Sequence, residues 1–427
     1  MKLSFLKKLQ FNPKPPTILH IDLNSCFATV EQQANPQLRG KPIAVAAYKT
    51  PSGCILAPSV EAKRLGIKTG MRVKDGKLLC PELIVLEPDP WKYRNVHIQL
   101  KKILSGYVAD PIPKSIDEFV INLEGFPSLK KGVLWTGADI KKRIKKEIGE
   151  WITVSIGIGP NRFLAKTAAG LKKPDGLEII DLENHLRIFS ALELSDLCGI
   201  KSNNIVRLNK LGIFTVMDFY NADAKKVHDA FHSVTGYYWY LRLRGWEIDD
   251  VEFNRSSFGN STALYQNYQS PEELSPVLIK LVEKMSARMR KAGYKTRGVH
   301  VAILYKNGTF WHKGFTTDEY LFSSGDIYKR AYKIMTHSPY KYPVHTLAVS
   351  CFDLKKDACL QLSMLEDENK KSRLTKALDE ISEKWGNFVI TPAKMLGTQD
   401  LVKDRISFGG IKDLEEFVQS GVEGEYR

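Results

Sequence analysis

Two short β-compatible runs, each with carboxylates at one end, constrain this chain more than any other feature. Thr17 to Leu23 reads TILHIDL and carries Asp22, while the acidic pair Asp117 and Glu118 leads into the apolar run Phe119 to Ile121. Three such groups can hold two divalent ions about 3.5–4 Å apart, the arrangement used for in-line phosphoryl transfer. Side chains alternate along a straight strand, so Asp117 and Glu118 share a site only at a bend or a strand start. Pro111 and Pro113 just upstream favour a turn there. The same residues admit a plainer reading, with Asp22 capping a helix that begins near Cys26 and the acidic pair solvated in a turn. Spacing alone does not choose between them.

A chain of 427 residues is too long for one ordinary core and suggests about three or four domains. Lys and Arg number 63 against 48 Asp and Glu, a surplus of 15. Such a surplus favours a polyanionic partner, because phosphate counterions are released on binding. The six cysteines, Cys26, Cys54, Cys80, Cys198, Cys351 and Cys359, have no paired CxxC spacing, which argues against a zinc site or a secreted disulfide framework. The N-terminus is basic but has no continuous apolar stretch of signal-peptide length, and no long apolar run occurs elsewhere. A cytoplasmic protein with no membrane segment is expected.

Residues 1–16 form a basic arm closed by Pro13, Pro15 and Pro16. Residues 26–87 read as a small unit with GKPIAVAAY as a strand and VEAKRLG as a helix. The stretch 88–180 has a long helix, the acidic segment, a second helix in which Ile140, Ile144 and Ile148 define one apolar face, and a strand-helix-strand unit. Residues 181–250 turn helical, and LCGIKSNNIVRLNKLGIFTVMDF has a helix, glycine turn, helix layout whose backbone amides can contact phosphates. Lys201 stands where such turns usually carry a second glycine. From about Ser256 to Asp353 the order is β-α-β-β-α-β, with a hairpin at Asn307 and Gly308 and strand alternation at Val299, Val301, Ile303 and Tyr305. A charged tail, 355–427, contains one helix.

The segments HIDLNSCFATVEQ, SVEAKRLGIKTGM, SIDEF and VSIGIGPNRFLAKTAAGLKKPDGL occur together, in the order and rough spacing of the catalytic core of Y-family translesion DNA polymerases. The chain resembles that family from about Thr17 to Asp353. Asn24 and Lys63 look more like the DNA polymerase V catalytic subunit, and the length and tail more like DNA polymerase IV-type enzymes, so the subfamily stays open. The resemblance implies a multidomain α+β right-hand polymerase: palm at 17–25 and 88–180, small fingers at 26–87, a helical thumb at 181–250 and a β-α-β-β-α-β little finger at 251–354.

It also implies roles. Asp22, Asp117 and Glu118, with the backbone carbonyl of Leu23, would bind two magnesium ions, and the activity would be DNA-directed DNA synthesis in damage tolerance, without proofreading. Phe27 aligns with the steric gate beneath the sugar of the incoming nucleotide. Lys63 and Lys173 match basic positions that bind the triphosphate; the family commonly has Tyr and Arg where this chain has Val60 and Lys63, and a lysine offers a point charge in place of a bidentate fork. Arg162, Lys166 and Lys201 are candidate DNA contacts. QLSML, with Gln361, Leu362 and Leu365, resembles a sliding-clamp peptide whose usual aromatic end is Leu365 here. Primer-template DNA, deoxynucleoside triphosphates and, through QLSML, a sliding clamp are the partners so implied, with the chain a monomer. A catalytically silent DNA-binding accessory protein would explain the charge but needs no carboxylate triad. A nucleotidyl cyclase would need two aspartates but neither the little finger nor the basic surplus.

Overall fold

The computed structural model describes residues 9–250, 255–264, 266–339, 342–356, 366–385 and 388–396. They fall into two compact units, one before residue 251 and one after it.

The first unit is built on a five-stranded sheet. Its strands are β1 (Ile18–Leu23), β5 (Ile112–Pro113), β6 (Glu118–Asn122), β7 (Val154–Gly159) and β8 (Leu177–Ile179), in the spatial order β5-β6-β1-β7-β8. The alternation of β1 explains its burial. Leu19, Ile21 and Leu23 point into a core with Tyr93 and Leu100 of α4 (Pro90–Leu104) and with Ile140 and Ile144 of α5 (Val133–Glu147). Ile148 closes that helix as its C-cap and packs partly against the same core. Ile18 and Val120 point to the opposite face, where they meet Ala165 of α6 (Arg162–Leu171). That helix lies directly on β7. A Cβ at Gly157 would stand 2.0 Å from the backbone nitrogen of Ala169, so only glycine permits the contact.

Residues 26–87 carry a smaller sheet of β2 (Ile43–Ala46), β3 (Ile55–Pro58) and β4 (Ile84–Leu86), ordered β3-β2-β4, with α1 (Cys26–Ala34), α2 (Val60–Arg64) and α3 (Val73–Leu79). Ala44, Ala46, Ile55, Ile67 and Leu83 form its own core. Beyond Ile180 come short helices α7 (His185–Ala191), α8 (Ser202–Asn209), α9 (Val216–Asn221), α10 (Ala224–Phe231) and α11 (Val234–Arg242). Phe189, Leu208, Phe219 and Trp239 fill their core. Gly212, with φ of 69°, makes the turn between α8 and α9, and Thr215 with Asp218 forms a capping box at the start of α9.

The basic arm proves to be anchored where it is described. Phe11 is buried in the helical core and stacks on His185, with ring centroids 3.9 Å apart. Asn12 donates to the carbonyl of Gly245, and Arg244 donates to that of Leu9.

The second unit has the expected order: β9 (Ser257–Ala263), α12 (Pro271–Lys291), β10 (Tyr294–Tyr305), β11 (Phe310–Leu321), α13 (Ser324–Met335) and β12 (Val344–Lys356). The sheet runs β11-β10-β12-β9, and Val299, Val301, Ile303 and Tyr305 turn inward against both helices. Ser270 and Glu273 cap α12, and Gly308 supplies the positive φ of the hairpin. A further helix, α14 (Glu366–Trp385), is tied to this unit by ion pairs, Arg290 with Asp379 and Lys371 with Asp326. No helix of the described residues is long and apolar enough to cross a membrane.

Candidate active site

The register of β1 against β6 places Asp22 opposite Glu118, and the register against β7 places it opposite Ser155. Directly opposed residues share a face, so Asp22 and Glu118 present carboxylates side by side. Asp22 does not cap α1: the N-cap position there is Ser25, in a left-handed conformation. The hairpin before β6 is tight, since the amides of both Lys114 and Ser115 donate to the carbonyl of Glu118. β6 therefore begins at Glu118, leaving Asp117 at its entry, where its carbonyl accepts from the amide of Leu23 and its carboxylate from the hydroxyl of Ser115.

One close cluster of ligand-type groups includes a residue outside the expected triad. Ligand-type atoms of His20, Asp22 and Glu118 lie within 4.8 Å of one another, while Asp117 stays outside that cluster. Asp117 is still close enough to add to the electrostatic repulsion on Asp22. The sequence reading does not include His20, although a position two residues before Asp22 on a strand must share its face. Its Nε2 is buried, has no hydrogen-bond partner and lies 3.8 Å from Glu118 Oε2. Burial first, then the ammonium groups of Lys166, Lys173 and Lys114, push its pKa down to about 3, so the ring is neutral.

Two lysines answer the carboxylates. Lys173 Nζ lies 2.5 Å from Asp22 Oδ2, and Lys166 Nζ lies 2.7 and 2.8 Å from the two oxygens of Glu118. Burial raises the Asp22 carboxyl above the usual carboxylate range, and Lys173 opposes that shift. For Lys166, burial is the largest influence and works against the charge, but the hydrogen bond to Glu118 and the attraction of its carboxylate together outweigh it and hold the pKa above its ordinary value. Lys63, in the last turn of α2, feels both Asp22 and Asp117; partial burial and then the neighbouring charge of Lys173 pull its pKa down. Three cations thus converge on the acidic cluster. Neighbouring carboxylates are the oxygen donors that hard divalent cations select, and the residues present fit such ions.

Phe27, in the first turn of α1, is 5% exposed and packs in the core of the sheet unit. Arg162 is engaged by its own chain: it donates to the carbonyl of Asp249 at 3.0 Å and pairs with Glu247 and Asp250. Lys201 is exposed at the start of α8. Gln361, Leu362 and Leu365 lie outside the described residues.

A palm-like sheet with paired carboxylates, a helical unit and a separate β-α-β-β-α-β unit define a nucleotidyl-transferring polymerase of right-hand type. Residues 21–170 match the impB/mucB/samB family, and residues 255–364 match the C-terminal domain of that family. Relatives named DNA polymerase IV include one from Pelotomaculum thermopropionicum, 31% identical over 91% of this chain and 97% of its own length. Another is from Moorella thermoacetica, 32% identical over 89% of this chain and 96% of its own. Bacillus subtilis DNA polymerase IV 1 is 30% identical over 92% and 97%. Among solved structures, a Y-family DNA polymerase chimera of Dbh and Dpo4 superposes with a TM-score of 0.68 at 24% identity, covering 79% of this chain and 98% of its own. The chain belongs to the Y-family DNA polymerases of the DNA polymerase IV type, DNA-directed DNA polymerases of translesion synthesis that use divalent metal ions. The question of subfamily left by Asn24 and Lys63 falls to the DNA polymerase IV side.

Proposed function

We propose that this chain extends a primer 3′ end on template DNA with two magnesium ions held by Asp22, Asp117, Glu118 and the backbone carbonyl of Leu23. The observation that carries this reading is the facing pair Asp22 and Glu118 on adjacent strands, with Asp117 at the strand entry. Bound there, the ions supply Lewis-acid activation of the 3′-hydroxyl and charge neutralisation at the transferring phosphoryl. Lys173 and Lys63 bring positive charge to the same place, matched to the triphosphate of an incoming deoxynucleotide. Phe27 is assigned as the steric gate, its ring excluding a 2′-hydroxyl.

The remaining assignments follow the same reading. Residues 17–25 and 88–180 act as palm, 26–87 as fingers, 181–250 as thumb and 251–354 as little finger, with the duplex gripped through phosphates. Lys201 is the phosphate contact of the thumb. Arg162 is assigned to holding residues 247–250 instead of DNA, and Lys166 to balancing Glu118. A structure of Dbh titled an insertion ternary complex, with a TM-score of 0.55, lends the substrates by analogy of fold. The chain works as a cytoplasmic monomer, and Gln361, Leu362 and Leu365 form its attachment to a sliding clamp.

The test is primer extension by Asp117→Asn and Glu118→Gln. Each should abolish extension in magnesium while DNA affinity stays within about twofold of wild type, because the metals lose a charged ligand and the basic grip is untouched. Near-normal extension by either variant places the metals elsewhere.

A further inference from the structure

Asn24 follows directly on β1, two residues after Asp22, and is buried. Its side chain makes three hydrogen bonds. The amide nitrogen donates to Ser155 Oγ at 2.9 Å, and the amide oxygen accepts from Thr153 Oγ1 at 3.2 Å and from the backbone N–H of Asp175 at 2.8 Å. Its own backbone N–H donates to the carbonyl of Thr153 at 2.9 Å. Asp175 belongs to the loop Lys172 to Gly176, between α6 and β8, and has φ of 61°. The same loop carries Lys173, whose ammonium sits on Asp22. One side chain at the end of the carboxylate-bearing strand therefore fastens the loop whose lysine reaches back to that strand.

We infer that Asn24 is a positioning residue for nucleotide binding, holding the Lys173 loop against β1 so that the Lys173 ammonium stands at the carboxylate cluster. A long, flexible lysine side chain delivers its charge to one place only if its backbone is held. The other ties of this loop run elsewhere. The Asp175 carboxylate pairs with Lys141 and Lys145 of α5, which fix its outer side. Gly176 is held from β7, where the amide of Ile156 donates to its carbonyl at 3.0 Å, and Lys141 also donates to the Asp175 carbonyl; the Gly176 amide has a 3.4 Å contact to Ser155 Oγ, the hydroxyl to which Asn24 donates. Without the Asn24 amide, the Asp175 backbone loses its side-chain anchor to the end of β1. The inference rests on the assignment of Lys173 to the triphosphate.

Single-nucleotide insertion kinetics on wild type, Asn24→Ala, Asn24→Asp, Lys173→Ala and the double variant Asn24→Ala/Lys173→Ala test it. Asn24→Ala should raise the KM for deoxynucleotide about five- to tenfold, the worth of the one lost hydrogen bond that reaches the Lys173 loop, with primer-template Kd unchanged. The double variant should bind nucleotide no worse than Lys173→Ala alone, since both act through one interaction. Asn24→Asp keeps an acceptor for the Asp175 N–H and for Thr153, and Ser155 can turn to donate, so its KM should stay near wild type. Should Asn24→Ala prove poorly folded, Asn24→Asp and Asn24→Ser carry the comparison, the shorter serine side chain reproducing the loss. A normal KM in Lys173→Ala would remove the assignment of Lys173 itself. A raised KM in Lys173→Ala with additive effects in the double variant, or a fall in kcat at constant KM in Asn24→Ala, would overturn the positioning role.

Discussion

The ring of Phe27 stacks on that of Tyr93, with centroids 4.3 Å apart and planes 14° from parallel. Tyr93 is itself held: its hydroxyl donates to Glu31 at 2.9 Å and accepts from the amide of Asp89 at 3.1 Å, and Lys92 pairs with the other oxygen of Glu31. A ring packed face to face on a partner that is itself hydrogen-bonded in place resists displacement. A gate must resist in just this way, so being a core residue and being a gate do not conflict here.

Phe27→Ala should therefore lower discrimination against ribonucleotides by roughly a hundredfold, the equivalent of about 3 kcal/mol of relieved clash. Insertion of matched ribo- and deoxyribonucleotides by the folded variant measures it. An unchanged ratio, with both activities falling together through lost packing, would leave Phe27 a core residue only.

Much of this arrangement can be read from local pattern. The alternation of Val299, Val301, Ile303 and Tyr305, the apolar face of Ile140 and Ile144, and Gly308 in its hairpin each depend on a few neighbouring residues, and each appears where expected. The parts that escape such a reading depend on pairing between distant segments. Nothing near Asn24 announces that it will meet Asp175, and nothing near Arg162 announces its pairing with Asp250. Phe11 reads as part of a basic arm because the ring it stacks on, His185, lies far along the chain. His20 is the avoidable omission, since strand alternation alone puts it beside Asp22.

Acid should weaken the fold through His97. This ring is 3% exposed, donates from Nδ1 to the carbonyl of Ile116 at 2.8 Å and stacks on Phe119. Burial lowers its pKa below the usual 6.5, the hydrogen bond to Ile116 opposing. Between the ordinary value and the lower folded one, the unfolded chain binds more protons than the native protein, so stability rises with pH across that window. The contribution is fully present above about pH 6.5 and falls as acid is added, by at most about 1.4 kcal/mol per pH unit. His97→Gln should flatten the change in denaturant midpoint between pH 7 and pH 5. An identical slope in variant and wild type would place the acid sensitivity on other groups.

The proposed attachment of QLSML to a sliding clamp is testable apart from the polymerase site. Alanine at Gln361, Leu362 and Leu365 should leave distributive synthesis on a short primer intact and remove stimulation by a loaded sliding clamp, because such peptides bind through a few apolar anchors. Equal stimulation of wild type and triple variant would reduce QLSML to a connector.

Arg244 offers the sharpest test of how the helical unit is held. It is the largest fully buried side chain described, at 1% exposure, and no carboxylate is bonded to its guanidinium among the described residues. The guanidinium instead donates to the carbonyls of Leu9, Tyr240 and Tyr220, and lies 3.6 Å from the ring centroid of Tyr240 and 4.9 Å from that of Tyr220. Burial lowers its pKa, with Tyr240 and Tyr220 opposing. It joins residue 9 to the end of the last helix of this unit, so its loss should strand buried carbonyls and loosen the N-terminal segment together. Arg244→Ala should cost about 3 kcal/mol, since several hydrogen bonds from a charged group go at once. For a unit of this size that is a fall in melting temperature of roughly 6–12 °C. Arg244→Lys, which keeps the charge but not the fork of donors, should recover less than half of the loss. A lysine variant as stable as wild type would show that the charge over the tyrosine rings, not the hydrogen-bonded fork, holds this corner of the fold.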